Sequence, residues 1–204
     1  MRIHLLAALV LLGCNSGGYQ YSGYQMDDYM ALDGERWWRY ANEGEDWKLE
    51  IEKVLPVQKK GTTEVVTLEY SVYDPAELLF SLDWSSDSSN GILIHGYTVE
   101  GGDSVTFGTP AVISEFRAVK GDVFTTDTGS GTITSTFTSV EGCPNLWVSE
   151  PWDCVVMDID DGGLGMPFAG TWSLAADWGP SRIQLDAYSD PWVLAEGHWA
   201  ASED

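Results

Sequence analysis

Basic residues are scarce in this chain. Lys and Arg number 10 against 32 Asp and Glu, which gives a formal net charge of -22 over 204 residues. Affinity for nucleic acids depends mainly on cations that neutralise phosphates, so this balance excludes DNA or RNA binding as a first hypothesis. It also excludes attachment to an anionic bilayer through a basic patch.

Long apolar runs are lacking as well. A helix that crosses a bilayer needs roughly 17–25 apolar residues, and no segment after Gly13 supplies them. We therefore expect no transmembrane helix in the mature chain. Gly, Pro, Asn or Asp interrupt the windows that could form amphipathic helices, so a helical domain is not expected either.

The sequence contains few groups that predict catalysis. It has three His residues and no GxSxG, HExxH or Gly-rich phosphate-binding motif. His95 and His198 have no neighbouring motif that would orient either of them as a base. We therefore expect a protein that is not an enzyme, although a carboxylate pair assembled by folding would not be visible in the sequence.

The N-terminus is a short apolar segment that ends in a cysteine. Arg2 precedes an apolar run over residues 5–12, and Gly13 stands before Cys14. This arrangement is typical of a secretory signal peptide rather than of a membrane span. Residues 11–14, with the sequence LLGC, resemble the lipobox of bacterial lipoproteins, in which the cysteine becomes the first mature residue and carries the lipid.

The lipobox resemblance implies a signal peptide of residues 1–13 and a lipid attached to Cys14. Asn15 follows the cysteine and is similar to an outer-membrane sorting signal of such lipoproteins, with the inner membrane as the alternative. We expect a lipid-anchored protein of the bacterial cell envelope, on the outer membrane. Residues 14–30 are rich in Gly, Ser, Gln and Tyr, which predicts a flexible tether.

The two remaining cysteines, Cys143 and Cys154, form a pair once Cys14 carries lipid. The envelope is an oxidising compartment, and a disulfide that closes so short a loop would stabilise the fold by roughly 2–3 kcal/mol. Two free thiols and half a zinc site are the alternatives, but the chain has no CxxC motif. We therefore predict a disulfide between these two residues.

From Trp37 onward, apolar and polar residues alternate with the period of a strand that buries one face. The apolar members of three such strands are Val66, Leu68, Tyr70 and Val72; Leu78, Phe80, Leu82 and Trp84; and Ile133 and Phe137. Turn residues, of which Asn90-Gly91 is the strongest hairpin signal, separate the strands. We predict one antiparallel all-β domain at residues 31–204, with about eleven or twelve strands in a half-barrel or barrel rather than a sandwich.

A half-barrel of this kind is similar in architecture to the clam-shaped folds of lipoprotein carriers, although the sequence lacks the pattern for their helical plug. Short echoes recur along the chain, such as Gly-acid-x-aromatic at Gly34 and Gly121. They indicate either shared turn chemistry or a duplicated half-sheet that divides near residues 110–121.

The chain has ten tryptophans. Trp84 and Trp172 are in phase with apolar neighbours, which predicts core positions. Four others stand beside turn residues, where an exposed ring could stack on a ligand such as a sugar: Trp147, Trp152, Trp178 and Trp192. Core packing is the alternative for these four as well.

The acidic run at residues 158–165 is a candidate calcium loop. Asp158, Asp160 and Asp161 lie within one turn and are followed by glycines, and calcium prefers carboxylate and carbonyl oxygens from a bent loop. The spacing departs from that of an EF-hand, and clusters of acids also arise by composition in so acidic a chain. Calcium is the one cofactor that the sequence indicates.

These observations favour an envelope lipoprotein whose β domain is a binding or structural module. An open concavity would take an apolar or lipid ligand, whereas a concavity filled by tryptophans would make the domain a scaffold. The alternative is a β-sandwich that binds carbohydrate or peptidoglycan through exposed tryptophans, with calcium. The sequence does not indicate an oligomeric state.

Overall fold

The computed structural model describes residues 23–30, 32–33, 35–42, 48–73, 77–143 and 153–200. The predicted signal peptide, the lipidation site Cys14 and the candidate ligand residues Trp147 and Trp152 lie outside these ranges. Fourteen strands and one 3₁₀ turn, Met26–Tyr29, make up the described secondary structure. The strands are β1 Tyr24–Gln25, β2 Glu35–Asn42, β3 Lys48–Lys60, β4 Thr63–Tyr73, β5 Glu77–Asp87, β6 Gly91–Val99, β7 Ser104–Ser114, β8 Arg117–Ala118, β9 Val123–Asp127, β10 Thr132–Gly142, β11 Asp153–Asp160, β12 Gly170–Ala175, β13 Gly179–Leu185 and β14 Trp192–Ala200.

Twelve of the strands form one antiparallel sheet in a simple up-and-down order. Each strand from β2 to β7 and from β9 to β14 pairs with its neighbour in the chain, and β14 pairs with β2. The two remaining edges, β7 and β9, lie close together, and the amides of Gly108 and Thr109 donate to the carbonyl of Thr128 there. The sheet is therefore a nearly closed barrel, which confirms the predicted fold class.

The barrel consists of two six-stranded meanders, β2–β7 and β9–β14. Residues 115–122 connect them and include β8, which pairs with β1 in a separate two-stranded sheet. This connection lies near the division at residues 110–121. The circular order is compatible with a duplicated half-sheet, and duplication itself stays a prediction.

The alternating residues fill the barrel interior. Val66, Leu68 and Tyr70 on β4 are buried, as are Trp84 on β5 and Trp172 on β12. The Trp172 ring lies edge-on to the rings of Tyr70 and Trp84, with centroid distances of 6.1 and 5.7 Å. Since β12 is five strands away from β4 in the sheet, these contacts cross the barrel and leave its centre packed with aromatic rings.

The N-terminal segment enters the fold earlier than predicted. Met26, Tyr29 and Met30 are buried in the core, and the amide of Met26 donates to the carbonyl of Phe116 at 2.8 Å. The prediction of a flexible tether was therefore wrong for residues 23–30. The sequence did not show this because a single 3₁₀ turn with two methionines has neither a strand nor a helix period.

The disulfide between Cys143 and Cys154 is present, with the two Cα atoms 4.9 Å apart. It joins the end of β10 to the start of β11, two strands that are paired with each other. The hydroxyl of Ser181 lies 3.1 Å from the buried sulfur of Cys154. The bridge therefore closes the connection between these strands next to the sheet.

The hairpin between β5 and β6 shows why Asn90-Gly91 is placed in a turn. Asp87 accepts hydrogen bonds at Oδ1 from the amides of Ser89 and Asn90, both at 2.8 Å. Gly91 has a φ of 76°, and a Cβ atom there would overlap the carbonyl of Ser114. Only glycine satisfies both the left-handed backbone and the close approach.

Candidate functional site

A cavity of about 530 Å³ lies at one end of the barrel, the mouth. The N-terminal segment runs across this end, and we name its described residues, 23–30 with Leu32 and Asp33, the strap. Met30 and Leu32 of the strap and Val57 and Val66 of the barrel wall form the apolar part of the lining. The polar part consists of Asp27, Asp28, Asp33, Arg36, Lys53, Glu64, Ser86 and Asp177. The volume of the cavity is in the range of small-molecule sites.

The two cations of the mouth cavity bind backbone carbonyls. Arg36 donates to the carbonyl of Asp33 at 2.7 Å and to that of Asp177 at 3.1 Å, and it forms an ion pair with the Asp33 carboxylate. Lys53 donates to the carbonyl of Leu32 at 2.6 Å. Both cations therefore hold the strap against the barrel wall while five carboxylates line the same space.

Among the carboxylates of the strap, Asp27 has the least favourable surroundings for a negative charge. Its Oδ1 atom is buried without a hydrogen-bond partner. Burial raises the pKa of Asp27, the charges of Asp28 and Asp87 raise it further, and backbone hydrogen bonds oppose the shift. The protonated form of this side chain therefore fits the closed mouth better than the carboxylate does.

A buried Ser–His pair lies in the wall of the barrel. The register between β6 and its two neighbours shifts at His95, the extra residue of a β-bulge, and its Nε2 atom is 2.8 Å from the hydroxyl of Ser85. Ser85 is 1% exposed and His95 7%, so no substrate can reach the hydroxyl in this conformation. The sequence offered no sign of this pair, because bulges change the phase of a strand.

His95 makes a testable contribution to stability. Burial lowers the pKa of His95, Lys60 lowers it further, and Asp83 opposes the shift. The unfolded chain therefore binds a proton more readily, and stability should fall as the pH decreases below about 6.5. We expect His95→Gln to remove that part of the pH dependence, measured by urea unfolding between pH 7.5 and 5. Parallel curves for the variant and the parent chain would contradict this assignment.

Of the four tryptophans that were candidates for ligand stacking, the structure describes Trp178 and Trp192, and neither ring is exposed as a platform. Trp192 is fully buried, with its ring 4.8 Å from that of Tyr188, so its prediction as an exposed platform was wrong. Trp178 is half-buried against the core, and its carbonyl accepts a hydrogen bond from the indole of Trp38. Trp84 and Trp172 are core residues, as predicted.

The candidate calcium ligands do not converge. Asp161 is buried, and its carboxylate accepts hydrogen bonds from the amides of Gly163, Leu164 and Met166. Asp158 and Asp160 are exposed, and they accept from Thr171 and from the amide of Gly162. Among the residues that the structure describes, no group of three His, Cys, Asp or Glu could hold a metal ion. The acidic run is a turn closed by Asp161, and the predicted calcium site was wrong.

Comparisons with protein-family models, with curated proteins and with solved structures find no match to this chain. In the described ranges, no helix has the length and the apolar character needed to cross a membrane.

Proposed function

We propose that this chain is a lipid-anchored lipoprotein of the bacterial cell envelope, on the outer membrane, whose barrel is a structural module. The anchor rests on the lipobox-like residues 11–14. In this proposal the module offers partners its outer surface and its mouth, and it carries no lipid in its interior.

The contacts of aromatic rings across the barrel are the observation that carries the structural role. A carrier for an acyl chain needs an open apolar interior, whereas Tyr70, Trp84 and Trp172 meet at the centre of this barrel. Phe168 and Phe107 extend the packing, with their ring centroids 6.4 Å apart. Of the two expectations from the sequence, a scaffold and a ligand carrier, the packing favours the scaffold.

The strap supports a link between the anchor and the barrel. It follows the tether directly, and its buried methionines and its pairing with β8 tie it to the fold. A lipid at Cys14 would therefore hold the barrel close to the membrane, because the tether consists only of the residues between Cys14 and the strap. Several acyl chains on one cysteine supply a lasting anchor without any basic patch.

A fluorescent fatty acid tests the structural role. We expect the full chain with Cys14→Ser to show no saturable binding of the probe at micromolar protein, because aromatic rings occupy the centre of the barrel. Saturable one-to-one binding that quenches the tryptophan fluorescence would show that the barrel is a carrier instead. Vesicles that carry the lipid-anchored parent chain and vesicles without it are the control for insertion of the fatty-acid probe into the bilayer.

Mass spectrometry tests the anchor separately. We expect the N-terminal peptide of the mature chain to begin at Cys14 and to carry acyl chains, and Cys14→Ser to move the protein from the membrane fraction to the soluble fraction. If Cys14 is unmodified and the parent protein is found in the soluble fraction, the proposed anchor is wrong. The conclusion about the barrel interior would not be affected.

A further inference from the structure

The strap covers the barrel mouth and is attached to the barrel by few backbone hydrogen bonds and by the side chains of Arg36, Lys53 and Ser86. Its backbone bonds to the barrel are the short pairing of β1 with β8, the bond from Met26 to Phe116, and a bond from the amide of Asp177 to the carbonyl of Asp28 at 2.7 Å. Two buried methionines and Tyr29 supply its apolar contact with the core. It therefore resembles a lid that closes an already complete sheet rather than a strand of that sheet.

Many carboxylates lie where the strap contacts the barrel. The strap contributes Asp27, Asp28 and Asp33, and Glu64 of β4, Asp87 of β5, Asp153 of β11 and Asp177 of the turn after β12 lie on the elements around it. The cations of the same region are Arg36 of β2 and Lys53 of β3, which line the cavity, Lys59 of β3, which forms an ion pair with Glu64, and Arg117 of β8, which lies opposite Gln25 of the strap. The titratable tyrosines are Tyr24 and Tyr29, and burial raises the pKa of Tyr29 further above neutrality. Carboxylates thus outnumber cations where the strap docks.

We propose that the strap is an acid-strengthened lid, which closes the barrel mouth more firmly in acid than at neutral pH and exposes the mouth cavity when it opens. Asp27 is the residue through which this happens, because its Oδ1 atom is buried in the closed state without a partner. An opened strap returns that oxygen to water and separates Asp27 from Asp87.

The direction follows from proton binding. The pKa of Asp27 is raised in the closed state by burial and by Asp28, so the closed state holds its proton up to a higher pH than the open state does. Closure is therefore favoured as the pH falls through the raised value, and the gain is complete near the ordinary value of about 3.8 for an open carboxyl. The lid itself does not depend on the lipid anchor. An opened strap would lengthen the tether between Cys14 and the barrel, and only this consequence rests on the proposed function.

Methionine oxidation reports on the lid directly. Met26 and Met30 are 0% and 1% exposed in the closed state, and Met157 on β11 is equally buried inside the barrel. Hydrogen peroxide oxidises a thioether when it becomes accessible, so Met26 and Met30 report opening of the strap and Met157 reports opening of the whole barrel. Peptide mass spectrometry at low conversion gives the three rates in one sample.

We expect Met26 and Met30 of the full chain to oxidise about threefold or more faster at pH 7 than at pH 4, relative to Met157. Asp27→Asn removes the charge, so its strap methionines should react slowly at both values, whereas the exposed Asp103→Asn should behave like the parent chain. Equal relative rates at the two pH values overturn the proposal, as does a strap that reacts no faster than Met157 at pH 7. If Asp27→Asn does not fold, the pH comparison in the parent chain still decides the matter.

Discussion

Replacing Trp172 with alanine is expected to lower the free energy of unfolding by about 3–5 kcal/mol, the cost of emptying an aromatic site in a packed core. The indole of Trp172 contacts rings on both β4 and β5 and donates to the carbonyl of Phe168 at 3.0 Å. Its removal therefore opens a void at the barrel centre and leaves a buried carbonyl without its donor.

Urea unfolding of the full chain with Cys14→Ser measures this effect. Trp172→Phe should be less costly because it keeps a ring between the two walls while it loses the indole N–H. Val123→Ala is the matched control, since Val123 is 58% exposed on β9, and we expect a change within about 0.5 kcal/mol for it. A loss below about 1 kcal/mol for Trp172→Ala would mean that the interior is not packed as described.

Asp161→Ala should be nearly as damaging, with a loss of about 3 kcal/mol or more. The carboxylate serves three backbone amides in a turn where Asp161 itself is buried. Hydrogen bonds to a charged group contribute about 1.5–3 kcal/mol each, and the amide of Met166, whose bond is buried, adds its desolvation cost when it loses its acceptor. Asp161→Asn keeps one acceptor oxygen, so it should lose less.

Asp160→Ala is the control for this turn, because Asp160 is exposed and accepts one backbone hydrogen bond. Thermal unfolding with chelator and with added calcium completes the experiment. A turn held by amides predicts a melting temperature that neither addition changes. A melting temperature that falls in chelator and recovers with calcium would instead restore the metal site at residues 158–161.

The sequence carried enough information to predict the sheet. Leu68 and Tyr70 alternate with polar neighbours, and this period of two places them on one buried face wherever the strand pairs. The in-phase positions of Trp84 and Trp172 predicted their burial for the same reason. Closure into a barrel followed from the number of strands, since a strongly twisted open sheet of twelve is uncommon.

Trp192 shows where local reasoning fails. Pro191 precedes it and Asp190 lies one residue earlier, and that neighbourhood is typical of an exposed turn. The structure places Trp192 at the first position of β14, opposite Ile183 of β13 and Asn42 of β2. Its burial depends in part on β2, which is distant in the chain, so the surrounding residues could not reveal it.

The mouth cavity was beyond the sequence for a related reason. Asp27, Lys53, Glu64 and Asp177 come from the strap, two strands and a turn that lie far apart along the chain. None belongs to a motif, and each would read as a solvated charge by itself. The three-dimensional order of the strands alone brings them to one end of the barrel.

The pairing of β14 with β2 affects how the protein can fold. The last long strand completes the sheet against the first one, whereas the seam between β7 and β9 has only sparse backbone bonds. The barrel therefore cannot close until the C-terminal strand is available, and every earlier intermediate exposes two bare strand edges. Contacts between such distant segments slow folding. We therefore expect slow folding in which the barrel closes only after β14 has been made, and a chaperone would protect the open sheet from aggregation until then.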